Sequence, residues 1–283
     1  MLLFDSHIHT ICSHDGKLTA SEQAEASLKR GLDGICITDH FDAFAYNTDY
    51  DCSHIKESIE GAKKAEKEYE GKIEVMSGVE LGDFLFGKEI SVKCLNNFDF
   101  DFILCSVHSK SFGKTVIEGF KGFETFAEMS NHEDHIFAKA YFNCVLETIC
   151  HKEMDFDSLA HLTYPVRYIS AVNKREFDIS EHIPKIKEIF KILIDEGKAL
   201  EINTSCMNSG WKHTLPDMDI VKIYYDMGGR LITLGSDAHL TDRLGVGFET
   251  VLENLKEIGF TKYYKYKNRN PVPISINILS AEC

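Results

Sequence analysis

The 283 residues, 43% hydrophobic with five prolines, supply core for one large domain or two ordinary ones, and the formal charge of −14 argues against a grip on long nucleic acid through clustered Lys and Arg. A small anion stays within reach, because a metal centre can reverse the field inside one pocket. Nine cysteines without a Cys-x-x-Cys pair argue against a disulfide framework or a thiolate zinc site.

The start, Met1-Leu-Leu-Phe-Asp5, has no basic region, and no run approaches the roughly 18 apolar residues of a membrane span, so a soluble cytoplasmic protein is expected. The first strand runs through Leu2-Leu-Phe-Asp-Ser-His7-Ile-His9-Thr10, whose two histidines at i and i+2 share one face. Cys12-Ser-His14-Asp15-Gly16 reads as a turn, and Thr19-Ala-Ser-Glu22 as a capping box opening a helix that Gly31 closes. Gly34–Thr38 is a second strand, ending in Asp39-His40, and a charged helix capped by Ser53 runs to about Gly71. Ile73–Glu80 and Phe102–His108 are the third and fourth strands, each ending in a ligand-type residue. From Ser109 to about Met154 the pattern breaks, with a helix near His132 to Cys150, and this stretch reads as an insertion over the active face.

Asp157–His161 is a fifth strand, and a helix from about Glu181 to Glu196 stops at Gly197. Ala199–Asn203 is the sixth strand, Asp217–Met227 a short helix, and Leu231–His239 the seventh strand with its ending. A last helix spans about Leu244 to Ile258, before a closing strand and tail. No repeat, low-complexity tract or linker divides the chain, so residues 1–283 read as a single domain with 109–154 inserted. Short apolar strands alternating with helices imply parallel strands joined by crossovers, and seven such units point to a (β/α)7 barrel rather than an open sheet.

His7, His9, His40, Glu80, His108, His161, Asp237 and His239 all fall at or just past the C-terminal end of an expected strand. In a (β/α) barrel those ends converge on one face, where active sites sit. Any one of these histidines alone is better read as a satisfied core or surface residue; eight ligand-type residues at the same end of six of the seven strands are not a coincidence. The set suits several metal ions of the Zn, Fe or Mn type. Glu80, in the middle of the ligand order, is the candidate bridge between two of them, where a shared water becomes a hydroxide suited to displacement at phosphorus.

In order, His7-x-His9, Thr38-Asp-His40, Gly78-Val-Glu80, Ser106-Val-His108, Ala160-His161 and Gly235-Ser-Asp237-Ala-His239 resemble the motifs of the PHP (polymerase and histidinol phosphatase) superfamily, to about residue 250. Within it the chain looks most like the stand-alone histidinol-phosphate phosphatases of histidine biosynthesis, on Ser-Val-His108, the insertion, His161-Leu-Thr-Tyr-Pro-Val-Arg167-Tyr and Leu200-Glu-Ile-Asn203-Thr. The resemblance implies a distorted seven-stranded TIM-like barrel with two to three divalent ions at the strand ends. Carried over, His7, His9, Glu80 and Asp237 would take the first ion, and Glu80, His108 and His161 the second. His40 and His239 would take the third with a residue of the turn, Asp15 by spacing; a His is common there, and His14 stands next door. Glu80, Asp237 and His239 are the candidate catalytic residues.

The phosphate of a small substrate, histidinol phosphate by resemblance, needs further cations, and arginine supplies them bidentately. Arg167, Arg243 and, more weakly, Lys110 follow closely on metal-type residues. Asn203 could hold substrate or a ligand, or serve as a cap. His132 and His135 are expected to face solvent, His54, His151, His182 and His213 lack strand-end context, and Cys12, Cys36 and Cys105 read as small filler. Phe112, Phe120, Phe123 and Phe126 are expected mainly to pack. The expected reaction is hydrolysis of histidinol phosphate. The rivals are a phosphodiesterase or exonuclease, a phosphotyrosine phosphatase, a metal-dependent amidohydrolase and a non-catalytic metal scaffold; the oligomeric state stays open.

Overall fold

The computed structural model describes residues 2–43, 52–108 and 123–276. Eight parallel strands form the central sheet: β1 (Phe4–Ile8), β2 (Gly34–Ile37), β3 (His40–Asp42), β4 (Glu74–Gly82), β5 (Phe102–Ser106), β6 (Ser158–Leu159), β7 (Ala199–Asn203) and β8 (Ile232–Gly235). Their order is β1-β2-β4-β5-β6-β7-β8, with β3 beside β4 as a continuation of the β2 position. A parallel bridge between Ile8 and Ala238, with His9 N donating to Ala238 O at 3.0 Å and Asp237 N to His7 O at 2.8 Å, brings the last strand position back to the first. The result is the distorted seven-position TIM-like barrel expected from the sequence.

These strands read as nearly unbroken apolar runs because both faces are covered. The covering helices are α1 (Ala20–Lys29), α2 (Ser53–Glu68), α3 (Lys88–Asn97), α4 (Asn131–Ile149), α5 (Ile183–Asp195), α6 (Met218–Asp226) and α7 (Phe248–Ile258). Thr19 and Ser130 close full capping boxes with Glu22 and Glu133 at the starts of α1 and α4. Helix α3 was not read from the sequence, and its N-cap Gly87 offers no side chain to announce it. Ser53 proves to be the first residue of α2, with Cys52 at the cap position. The tail is a hairpin, β9 (Lys262–Lys267) with β10 (Asn270–Ser275), rather than a single strand.

That hairpin crosses the N-terminal end of the barrel. Tyr263 Oη accepts from Phe4 N and donates to Leu2 O, both at 3.0 Å, while Arg269 Nε donates to Asp157 Oδ2 at 2.5 Å. The opposite, C-terminal mouth is left for chemistry. The first part of the expected insertion, with Lys110, Phe112 and Phe120, lies outside the described residues. Of its described part, α4 lays Tyr141 parallel to Tyr164, ring centroids 6.3 Å apart, on the segment that carries Arg167. Among the described residues no helix is long and apolar enough to cross a membrane.

Candidate metal centre

The eight strand-end residues converge at the barrel mouth around one carboxylate. Glu80 is fully buried near the end of β4, directly opposite His40 on β3. Its Oε2 lies 2.7 Å from His40 Nδ1, 3.4 Å from His7 Nε2 and 3.6 Å from His9 Nε2. Its Oε1 lies 2.8 Å from His161 Nε2 and 3.2 Å from His108 Nε2. Asp237 Oδ1 closes the first group, 3.3 Å from His9 Nε2 and 3.8 Å from His7 Nε2. Asp15 Oδ1 stands 3.1 Å from His239 Nε2 and 3.6 Å from His40 Nε2, so the turn after the His pair reaches the cluster. His14 is half exposed, its ring centroid 5.4 Å from that of His40.

Each of four rings has its Nδ1 held from outside. His7 Nδ1 donates to Glu201 Oε1 at 2.6 Å, His9 Nδ1 to Ser13 Oγ at 3.1 Å, His108 Nδ1 to Asp42 Oδ1 at 2.7 Å, and His239 Nδ1 to Asp237 O at 3.0 Å. A proton fixed on Nδ1 leaves the Nε2 lone pair pointing inward, which is how proteins orient imidazole toward a metal. Those inward nitrogens crowd: His7 Nε2 and His9 Nε2 are 3.0 Å apart, and His9 stacks on His40 and His239 with centroids 4.1 and 4.2 Å away. His40 Nδ1 and Glu80 Oε2 are buried without a properly directed hydrogen bond despite their proximity. Buried lone pairs left unmatched are costly, and a cation matches several at once. The donors therefore fit divalent ions of the Zn, Fe or Mn type.

The charges agree. Burial presses the Glu80 carboxyl upward, but His40, His7 and His108 hold it well below the usual carboxylate range. Burial pulls His40 down, yet Glu80 outweighs it and holds the ring at about 9. His9 is driven well down, by burial and then by its neighbours His40 and His239. Neighbouring rings thus disagree about carrying a proton, a conflict that bound cations remove. Backbone strain also collects here: His161 (φ 24°) and Asp237 (φ 55°) both sit in the left-handed region, a cost usually met at functional sites.

Several of the orienting residues lay outside the sequence reading. Glu201, inside β7, accepts from His7 Nδ1, from His161 N at 2.7 Å and from Asn203 Nδ2 at 3.2 Å. Asp39 gathers Thr10 N, Thr10 Oγ1, Ser13 Oγ and Ser58 Oγ at 2.5–2.7 Å, which fixes the turn that carries Ser13. A signal was present, since a carboxylate inside an apolar strand must have a partner. Two glycines make room. A Cβ on Gly235 would meet Glu201 Oε1 at 2.1 Å, and one on Gly82 would meet Asp42 Oδ1 at 2.0 Å.

Arg167 opens a π-helical turn (Arg167–Val172) and is mostly buried, its Nη2 donating to Asp237 Oδ2 at 2.7 Å and Ser205 Oγ at 2.8 Å. Asn203 Oδ1 accepts from Ser205 and lies 3.5 Å from Arg167 Nη2, so Asn203 joins the polar wall between Glu201 and Arg167. Arg243 is 43% exposed and lines a cleft with Ser205, Asn208, Asp237 and His239. His135, expected to face solvent, is instead packed against Phe177 and His182, because α4 lies on the body of the protein.

Residues 5–205 match the model of the PHP domain. The chain belongs to the PHP domain family. It is 33% identical over 273 residues to the probable histidinol-phosphatase of Clostridium acetobutylicum, covering 92% of this chain and 98% of that one. It is 29% identical to the probable histidinol-phosphatase of Thermotoga maritima, over 91% and 93% of the two chains. Among solved structures, the histidinol phosphate phosphatase of Lactococcus lactis, complexed with zinc, L-histidinol and phosphate, superposes with a TM-score of 0.76 at 24% identity, over 95% of this PHP chain and 98% of that one. The putative histidinol phosphatase of Listeria monocytogenes gives 0.69 at 18%, over 87% and 99%. Both likenesses are to the PHP barrel.

Proposed function

We propose that the chain is a metal-dependent phosphomonoesterase that hydrolyses L-histidinol phosphate to L-histidinol and phosphate. The observation that carries the chemistry is the position of Glu80, one buried carboxylate whose two oxygens face different groups of imidazoles. The substrate rests on the relatives named probable histidinol-phosphatase, aligned over nearly the whole chain, and on the Lactococcus lactis structure complexed with zinc, L-histidinol and phosphate.

His7, His9, Glu80 and Asp237 would hold one divalent ion, Glu80, His108 and His161 a second, and His40, His239 and Asp15 a third. Ions of the Zn, Fe or Mn type supply there a positive field against the phosphoryl oxygens and an activated water. The chain does the positioning. Glu80, Asp237 and His239 are the residues assigned to the catalytic step. Glu201, Ser13 and Asp42 hold the Nδ1 protons of His7, His9 and His108, and so keep each Nε2 aimed inward. Arg167, fixed by Asp237 and Ser205, offers N–H groups to phosphoryl oxygens as charge builds on them, and Arg243 approaches from the cleft beyond His239. Tyr164, its ring 5.0 Å from His161 and 5.3 Å from His108, walls the site on one side. The chain is read as one unit, with Tyr141 of the described part of the insertion stacked on Tyr164 beside the site.

The test is phosphate release by zinc- or manganese-loaded protein from L-histidinol phosphate, phosphotyrosine and glycerol phosphate. A kcat/KM for histidinol phosphate at least tenfold above the others is expected. Equal rates on all three refute the substrate, and no release from any refutes the reaction.

A further inference from the structure

Away from the barrel mouth, three ligand-type side chains from two separate segments converge on one point. His135 lies in the second turn of α4, and Glu181 and His182 in the 3-10 turn (Ile179–His182) that leads into α5. A single oxygen, Glu181 Oε1, stands 2.7 Å from His135 Nδ1 and 3.3 Å from His182 Nε2, and those nitrogens are 3.2 Å apart. Zinc binds imidazole nitrogen and carboxylate oxygen at about 2.0–2.2 Å in a tetrahedron, whose neighbouring ligands are then about 3.3–3.5 Å apart. One of the three separations, 3.3 Å, falls on that edge and a second, 3.2 Å, lies just under it. The third is shorter and involves Glu181, whose exposed side chain is free to adjust.

The rings are preset. His182 is almost wholly buried, and Phe177 lies nearly parallel to it (5.8 Å, 11°) and stacked on His135 (4.7 Å, 28°), so neither imidazole turns freely. A surface cleft lined by Lys139, Asn143, Glu181, His182 and Lys185 gives an ion a way in.

We propose that His135, Glu181 and His182 form a second, independent zinc site that clips α4 to the turn before α5, with its fourth position open to water. It shares no residue with the cluster around Glu80, and it stands whether or not the chain hydrolyses histidinol phosphate.

The test compares the zinc-loaded full chain with Glu181→Gln and His135→Gln after dialysis, measuring zinc per chain by mass spectrometry of the metal. Each variant is expected to hold about one zinc fewer than the wild type while phosphatase activity stays within twofold. A wild-type crystal at the zinc edge is expected to show an anomalous peak between His135 Nδ1 and His182 Nε2. Equal zinc content in all three proteins overturns the proposal, as does a wild-type crystal with peaks only at the barrel mouth. Glu181→Gln alters an exposed side chain and so leaves the fold intact for the comparison.

Discussion

Replacing Glu201 by glutamine keeps the outline of a buried side chain and removes one of its acceptors. Three donors face that carboxylate: His7 Nδ1 at 2.6 Å, His161 N at 2.7 Å and Asn203 Nδ2 at 3.2 Å. A glutamine turned with its oxygen toward His7 aims its NH2 at the backbone N–H of His161. Turned the other way, it aims the NH2 at His7 Nδ1 and drives the ring proton to Nε2, the atom that faces Glu80. The first arrangement leaves the buried N–H of His161 unmatched, at about 1–3 kcal/mol, and the second takes the inward Nε2 lone pair away from the metal. Loss of such an orienting partner lowers metal affinity or activity about 10–100-fold, equivalent to about 1.4–2.8 kcal/mol. The assay is activity against free zinc in a metal buffer, fitted for apparent zinc affinity and for kcat at saturation. Affinity is expected to fall in that range with much of kcat recovered at high zinc. Wild-type affinity, within twofold, in a folded variant refutes the orienting role.

Gly235→Ala places a Cβ 2.1 Å from Glu201 Oε1 and 2.6 Å from His7 Cβ, and is expected to lose at least about tenfold in activity and about 1–3 kcal/mol in urea melts. Gly61→Ala in α2, where the nearest atom is 3.7 Å away, is the control and is expected to be neutral or stabilising. Arg167→Ala is expected to reduce kcat/KM by about 10–150-fold, from the loss of charge-assisted bonds of about 1.5–3 kcal/mol, and Arg167→Lys to fall between it and wild type. An unchanged KM and kcat in Arg167→Ala contradicts a phosphate contact. In the metal-free protein His40 keeps its proton until about pH 9 instead of 6.5, so an incoming cation must displace it below that pH. Zinc uptake should therefore release protons, and the apparent affinity should strengthen by up to about tenfold per pH unit from 6.5 toward 9. Affinity that is flat across that window contradicts this.

Most of the barrel was legible because parallel strands buried on both faces read as short apolar runs, and because the side chains that leave those runs for a common mouth are polar. His7, Glu80, His161 and Asp237 stand out by that contrast. What escaped was polar chemistry inside or between strands. Asp39 interrupts the second strand position and splits it into β2 and β3, and Glu201 sits within β7 as one charge among apolar neighbours. Their partners are up to 194 residues away in sequence, so nothing local reveals that Glu201 meets His7. Helix α3 has no side-chain cap to mark its start, and β10 carries Pro271 and Pro273, which disguise a strand paired on one edge only. His135 was misread because a charged helix start looks solvated until its neighbours are known.

The most direct measurement is a crystal structure of metal-soaked protein with phosphate, with anomalous data collected at the metal edge. Ions on both sides of Glu80, one ligated through each oxygen, with Arg167 on the phosphate, are the expected result. A single ion bound elsewhere, or a Glu80 that touches none, contradicts the account.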